Sequence, residues 1–413
     1  MSRVTAVVAR RQVHAALAWL HANPKTILQW QTELCAIPGP PFGETERGQW
    51  LAERFREIGL ADVSLDEIGN VLGFLHPPNH HPESSGPLLV LSAHLDTVFP
   101  ADTELNPVVR VVDGHDRLEC PGASDNAAGV VGMLAVAKAI VASGVELPCP
   151  LLLVGNLGEE GEGDLRGVRH LYGARPLAER IAAHIVLDGA GNDSAVTQAL
   201  GSRRFLVTIS GPGGHSFTDS GTPNPIAAMA TALARLAATV VPDEPRTTLN
   251  LGTIHGGTSV NSIPENTTAA VDFRSTSAEE LTRLEVLLYR AVEDAVDQWN
   301  AASSSPSRPR GSLVYSIQKI GDRPAAQLPE NSPMLEALRS VDRHLGIATG
   351  VRLGSTDANI PLSLNVPAVS LGAGGEGGGA HTVGEWYYAK DREIGLRRIL
   401  LLTLVMMDWA AEQ

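Results

Sequence analysis

The chain has 413 residues and a mass of 43.6 kDa, enough for two or three domains of ~100–200 residues each and at least one large core. Apolar residues make up 43% and charged ones 19%, which excludes a disordered chain, and 46 acidic against 32 basic side chains leave a net charge of −14. That sign, with only 4% aromatics, argues against nucleic acid held through its phosphates or by base stacking.

Cys35, Cys120 and Cys149 show no CxxC spacing, which excludes a disulfide framework and a thiolate zinc site and fits a reducing compartment. The first twenty residues interrupt every apolar run with Arg or His, so no signal peptide is read. No stretch reaches the ~18 apolar residues of a membrane span. A soluble, cytoplasmic protein is expected.

Helical spacing of apolar positions runs through the first sixty residues, punctuated by Pro24 and by Pro38-Gly39-Pro40-Pro41, with a third amphipathic run from Glu44 to Leu60. Strands are expected at Val71–Leu75 and Pro87–Leu95, separated by a polar loop whose His76, His80 and His81 read as solvated. A helix at Asn126–Ala142, a strand at Pro150–Val154, a helix near Leu165–Tyr172 and a strand at His184–Leu187 follow. This alternation predicts a mainly parallel α/β sheet.

Around Gly201 the pattern changes. Strand Arg203–Ser210, helix Pro225–Thr239, strands Thr247–Ile254 and Thr267–Arg274, helix Ala278–Trp299 and strand Leu313–Ile320 spell βαββαβ. The low-complexity stretch 301–311 is read as a loop before the last of these strands. Then helix Ser332–Leu345, strand Ala368–Leu371 and a closing helix from Trp386 to about Ala410 restore the α/β pattern. The expected organisation is a discontinuous main domain, 1–200 and 323–413, with a ferredoxin-like α+β unit inserted at 201–322.

Hard ligands recur where strands should end. His94 and Asp96 close LLVLSAHLD two positions apart, which points them to one face of an extended chain, and a carboxylate beside a metal-binding His fixes its tautomer. Asp125 opens a helix and by itself reads equally well as an N-cap. Glu159 and Glu160 follow a buried strand, Asp188 ends HIVLD, and His381 sits in a Gly-rich loop. Singly, such residues are commonly solvated loop charges. Together they fall at the C-terminal edge of an open parallel sheet, where ligands bind, and so many carboxylates would repel without cations. Two His with several carboxylates suit zinc, with manganese or cobalt as alternatives.

The motifs HLDTV, GASDNAAGV, GEEGEGD, VLDGAG, GPGGHSF and GGAHTVGE, in this order, resemble the di-zinc exopeptidase and amidohydrolase superfamily of aminoacylase, acetylornithine deacetylase, succinyl-diaminopimelate desuccinylase, carboxypeptidase G and peptidase T, most of all the peptidase T-like members. The resemblance implies Asp125 as bridging ligand, His94 and Asp188 on one zinc, Glu160 and His381 on the other, Asp96 orienting His94, and Glu159 as general base. It also implies a cis peptide after Asp125 and a homodimer in which His215 reaches the partner's site to stabilise an oxyanion. Asn261 and Arg274 resemble substrate-holding positions, although Arg274 on a strand reads equally well as a structural ion pair. Gly354, in LGSTDAN, is assigned to the pocket lining.

The GxGxxG formed by Gly372, Gly374 and Gly377 is not followed by an apolar helix start, so it is read as backbone wrapping a substrate rather than as a dinucleotide site. Ser355 has no evident His–Asp partners. The expected function is metal-dependent hydrolysis of a peptide bond near a free terminus of a small substrate. The alternatives are N-acyl-amino-acid deacylation and a catalytically silent zinc- or peptide-binding protein.

Overall fold

The computed structural model describes residues 2–78, 86–303 and 311–413. His80, His81 and most of the stretch 301–311 lie outside them. The chain forms two compact units, 1–199 with 327–413, and 200–326.

In the larger unit, helices Arg3–Val8, Arg11–Ala22, Pro24–Cys35 and Thr45–Ile58 precede a twisted sheet. Its strands run in the order Ala61–Leu65, Val71–Leu75, Leu151–Asn156, Leu88–His94, Ile181–Leu187, Ala368–Leu371, Ser194–Ala199, with Gly350–Gly354 alongside the last. Leu88–His94 pairs in parallel with both neighbours, and Ala368–Leu371 is parallel to Ile181–Leu187. The mainly parallel sheet is therefore present, with antiparallel strands added at its margin.

Leu88–His94 is buried at every position, as a central parallel strand covered on both faces must be. Helix Ala127–Ser143 is apolar on all sides and packs against Arg11–Ala22, Pro24–Cys35 and the sheet. Arg398 is fully buried and grips Asp342 with two bonds of 2.7 Å, pinning the last helix to Pro333–Leu345. No described helix is long and apolar enough to cross a membrane.

The closing helix differs from its expected bounds. Trp386–Tyr388 is a strand, paired antiparallel with Arg117–Glu119, and the helix begins only at Arg392, after Asp391 in a left-handed conformation. Three successive aromatics favour a sheet surface, and a free strand edge was available to them. That edge belongs to the unpredicted hairpin Val108–Val112/His115–Glu119, turned at Asp113-Gly114 with positive φ at both residues.

The smaller unit is a four-stranded antiparallel sheet in the order Thr247–Gly256, Asn266–Ser275, Gly201–Ser210, Val314–Arg323. Helices Pro225–Ala237 and Ala278–Ala302 cover one face, where Phe205, Val207, Val271, Phe273, Leu284 and Leu288 form its own core. Asn266–Ser275 alternates buried and half-exposed positions, the period-2 pattern of a strand with one face inward.

Candidate metal centre

The register of the parallel sheet brings the ligands together. His94 ends its strand opposite Asn156, the last residue of Leu151–Asn156, and Asp188 directly follows Ile181–Leu187, donating its N–H to Leu371 O at 2.9 Å. His94 Nε2 lies 3.2 Å from Asp125 Oδ1 and 3.6 Å from Asp188 Oδ1. His381 Nε2 lies 3.1 Å from Asp125 Oδ2 and 3.0 Å from Glu160 Oε1.

Asp125 thus turns one oxygen to each imidazole, the arrangement of a bridging carboxylate. Two donors on one tetrahedral zinc at ~2.0–2.1 Å are separated by ~3.3 Å, and the four distances bracket that value. His94 Nε2 and Asp125 Oδ1 are buried, face each other and have no hydrogen-bond partner. Two orphaned polar atoms aimed at one point, in a set of imidazoles and carboxylates, fit divalent metal ions. The Glu159 carboxylate is close by, within 4.8 Å of a His94 nitrogen and a Glu160 oxygen.

Charge balance shows what the site holds when protons alone neutralise it. Burial disfavours ionised Asp125, but the bond from His381 and the nearby His94 imidazole outweigh it and hold its carboxyl well below the usual range. The bond to Asp125 lifts His381 to about 9, and burial together with the charge of Asp125 pushes Glu160 up to about 7. His94 is raised as well, because the Asp125, Asp188 and Asp96 carboxylates around it outweigh burial.

Asp96 does more than the sequence implied. Its carboxylate accepts the N–H of Glu159 at 3.0 Å and of Glu160 at 2.7 Å, so it sets the backbone of both glutamates. The stronger bond to His94 Nδ1 comes from the Asp96 carbonyl at 3.0 Å, its carboxylate standing 3.6 Å away. The Asp125–Asn126 peptide is cis. Asn126 bonds Leu187 O and accepts from Gly129 and Gly189 N–H, tying the bridging aspartate to the Asp188 strand.

Three supporting groups escaped sequence reading. Glu385 accepts the N–H groups of Gly122, Ser124 and Asp125 at 2.9, 2.8 and 2.7 Å. Arg47, fully buried, donates to Ile37 O and Leu95 O beneath the His94 loop. Asp357 accepts from Asn156 at 2.6 Å, and burial lifts it to about 7. Asp357 stands in the LGSTDAN segment, and Asn156 two positions before GEEGEGD was the available signal.

The Gly-rich loop is read differently in the structure. A Cβ on Gly372 would meet Ala190 O at 2.3 Å, and one on Gly374 would meet Arg392 O at the same distance. These glycines permit backbone to pack on backbone within the chain. Gly354 closes a strand and packs on Val196, where a Cβ would approach to 3.0 Å.

The remaining singled-out residues lie in the smaller unit. His215 is exposed on a short strand paired with Ser262–Ile263, and Ser216 N–H donates to Asn261 O. Its Nδ1 accepts the N–H groups of Phe217 and Thr218 at 3.2 and 3.3 Å, which places the ring proton on Nε2. Arg274 donates to Asp272 Oδ2 at 2.8 Å, an ion pair within its own sheet. It stands eight residues along its strand from Asn266, ~27 Å at strand rise, and therefore at the other end of the sheet from the His215 turn.

Comparison with known proteins agrees with this architecture. The chain is 32% identical over 271 residues to succinyl-diaminopimelate desuccinylase of Xanthomonas campestris pv. campestris strain B100, covering 60% of this chain and 70% of that one. A tripeptidase from Staphylococcus aureus subsp. aureus Mu50 superposes with a TM-score of 0.71 at 22% identity, over 95% of this chain and 99% of that one. The aminopeptidase PepT of Bacillus cereus ATCC 10987 superposes at 0.73 with 18% identity, over 94% and 99%. With residues 90–404 matching the family model, the chain belongs to peptidase family M20/M25/M40, whose members are metal-dependent hydrolases of peptide and amide bonds in small substrates.

Proposed function

We propose that the protein is a zinc-dependent exopeptidase of short peptides, with His94, Asp125 and Asp188 holding one metal and Asp125, Glu160 and His381 the other. The observation that carries this reading is the split of the two Asp125 oxygens between two imidazoles at 3.2 and 3.1 Å. A metal pair there would polarise an amide carbonyl and acidify a water, and manganese or cobalt suits the same donors.

Glu159 takes the proton of the attacking water and returns it to the departing amine. Asp96 acts on it only through the backbone, fixing where that carboxylate starts. His215 presents Nε2–H, the tautomer that donates to an oxyanion. Asn261, Arg274 and Gly354 complete the substrate contacts in this reading, Arg274 as the grip on a carboxylate.

Arg274 lies ~27 Å along its strand from Asn266, the end that neighbours the His215 turn, so one small substrate does not reach both in the same copy. Their joint use supports a homodimer, with the unit 200–326 supplying the contact and His215 acting on the partner's site. Three free thiols support a cytoplasmic setting.

A second reading, N-acyl-amino-acid deacylation, is favoured by the likeness to a desuccinylase. The deciding experiment is hydrolysis of dipeptides, tripeptides and N-acyl amino acids by zinc-loaded protein, before and after chelation. Cleavage of peptides alone, abolished by chelation, is expected. Preferential cleavage of N-acyl amino acids selects the deacylase. Metal binding with no amide hydrolysed overturns both. Mixing inactive His215→Ala with inactive Glu159→Gln tests the trans assignment: random exchange makes half the dimers mixed with one competent site each, so about a quarter of wild-type activity returns. Heterodimers without recovery overturn it.

A further inference from the structure

The mechanism leaves two cysteines unused, and they stand together. Cys35 ends helix Pro24–Cys35 and Cys120 follows strand His115–Glu119; both are buried. The two residues are in direct contact through the bond from Cys120 to the Cys35 main chain. Cys120 Sγ donates to Cys35 O at 3.6 Å, and Cys35 Sγ to Gly122 O at 3.9 Å.

The loop they grip is the one that carries Asp125. Gly122 N–H is bound by Glu385, and Cys120 N–H by Glu385 O at 3.1 Å. We propose that Cys35 and Cys120 are a peroxide-responsive dithiol, whose oxidation to a disulfide ties the Asp125 loop to the helix Pro24–Cys35 and disturbs the metal centre.

The chemistry balances with hydrogen peroxide as oxidant. The Cys120 thiolate attacks one peroxide oxygen, the O–O bond breaks, and the departing hydroxide takes a proton to leave as water, giving a sulfenic acid. The Cys35 sulfur then attacks that sulfur, the S–O bond breaks, and hydroxide leaves with the Cys35 proton as a second water. Two thiols lose two electrons, and one peroxide becomes two waters.

The roles of the two sulfurs follow from their surroundings. The neighbouring Cys35 thiol and then the Arg47 guanidinium lower the Cys120 thiol against the effect of burial, while the neighbouring Cys120 thiol and burial raise Cys35. The nucleophile is therefore Cys120 and the resolving thiol Cys35. Cys149, which donates to Met407 O and is pushed by burial to about 12, is the internal inert control. Oxidation also removes both S–H donors, leaving the Cys35 and Gly122 carbonyls without them in a buried loop. The redox step stands on the thiols alone; its effect on turnover rests on the proposed metal centre.

The test uses the metal-loaded full-length enzyme treated with hydrogen peroxide, then alkylated and mapped as peptides without reduction. A linked Cys35–Cys120 peptide lighter by two hydrogens is expected, with Cys149 alkylated in full. Activity should fall about ten-fold in proportion to the linked fraction, the scale of a disturbed outer-shell contact, and return with a phosphine reductant.

Cys35→Ser should stop at a Cys120 sulfenic acid that dimedone traps, and Cys120→Ser should trap none. Because the readout on unmodified protein needs no variant, misfolding of either does not blunt it. Absence of the linked peptide while methionines oxidise overturns the proposal. A linked peptide with unchanged activity overturns the coupling to the metal centre but not the peptide hydrolysis, which is measured separately.

Discussion

Glu385→Gln isolates what holds Asp125 in place. The carboxylate takes two N–H groups on Oε1, Ser124 at 2.8 Å and Asp125 at 2.7 Å, and one on Oε2, Gly122 at 2.9 Å. Glutamine keeps one carbonyl oxygen, which can still serve Ser124 and Asp125, but its amide then presents donors to the Gly122 N–H. One bond to a charged acceptor is lost, ~1.5–3 kcal/mol, and a buried donor is left facing a donor, ~1–3 kcal/mol.

Against this, burial raises Glu385 despite its three N–H bonds, so neutralising it recovers part of a desolvation cost. A net loss of ~2–4 kcal/mol in the metal-free protein is expected, read as a lower urea midpoint. Zinc should bind ~10–100-fold more weakly in competition with a chromogenic chelator, because the loop that carries Asp125 loses its anchor at Gly122. A variant within ~1 kcal/mol of wild type that also binds zinc within three-fold of it would refute the reasoning, since the three bonds would then be holding nothing.

Glu159→Gln keeps size but takes no proton, so it should retain metal and lose at least ~10²-fold in turnover, whereas Glu160→Gln should lose metal; equal metal loss in both removes the distinction between base and ligand. Metal binding must displace the proton His381 holds up to about 9, that of the raised His94, and the one Glu160 holds up to about 7, so affinity should rise at least ten-fold per pH unit from pH 7 to 9 and more steeply below 7; a flat profile contradicts the assigned ligands. His184 is buried between Tyr172 and Ser92 and held by desolvation near 3, below its unfolded value near 6.5. Unfolding therefore takes up a proton as pH falls below 6.5, at ~1.4 kcal/mol per pH unit, and His184→Gln should flatten that part of the acid profile; an unchanged slope refutes a neutral buried His184.

The fold was legible where period and burial agree. The all-apolar run at Leu88–Leu91 and the 3.6-residue spacing of helix Ala278–Ala302 admit one reading each, and the structure keeps both. Tertiary partners decided the rest. Trp386–Tyr388 continues an apolar approach to the last helix, yet becomes a strand because the hairpin 108–119 offers it an edge. The Asp113-Gly114 dipeptide and the valine-rich run Val108–Val112 before it marked that hairpin, although that strand stays largely exposed.

The nearness of the candidate ligands was readable because hard side chains at strand ends converge in any open parallel sheet, so order along the chain already implied proximity. Their support was not, because its members are distant in sequence from the groups they bond. Glu385 meets Gly122 across 263 positions, and nothing near it spells its target. Asp357 meets Asn156 across 201.

These hidden groups explain why the site tolerates so much negative charge. Glu385 and Asp96 spend theirs on main-chain N–H groups of the very loops that bear Asp125, Glu159 and Glu160, while Arg47 stands between the Leu95 carbonyl and the Gly122 loop. That leaves the inner carboxylates and two imidazoles to be balanced by whatever occupies the space between them. Without metal it is protons, on His94 and His381, and the two raised imidazoles measure the positive charge the site is built to receive. A divalent pair supplies that charge without occupying the ring nitrogens with hydrogen, so the geometry that shifts the histidines upward is the geometry that selects metal over proton as pH rises.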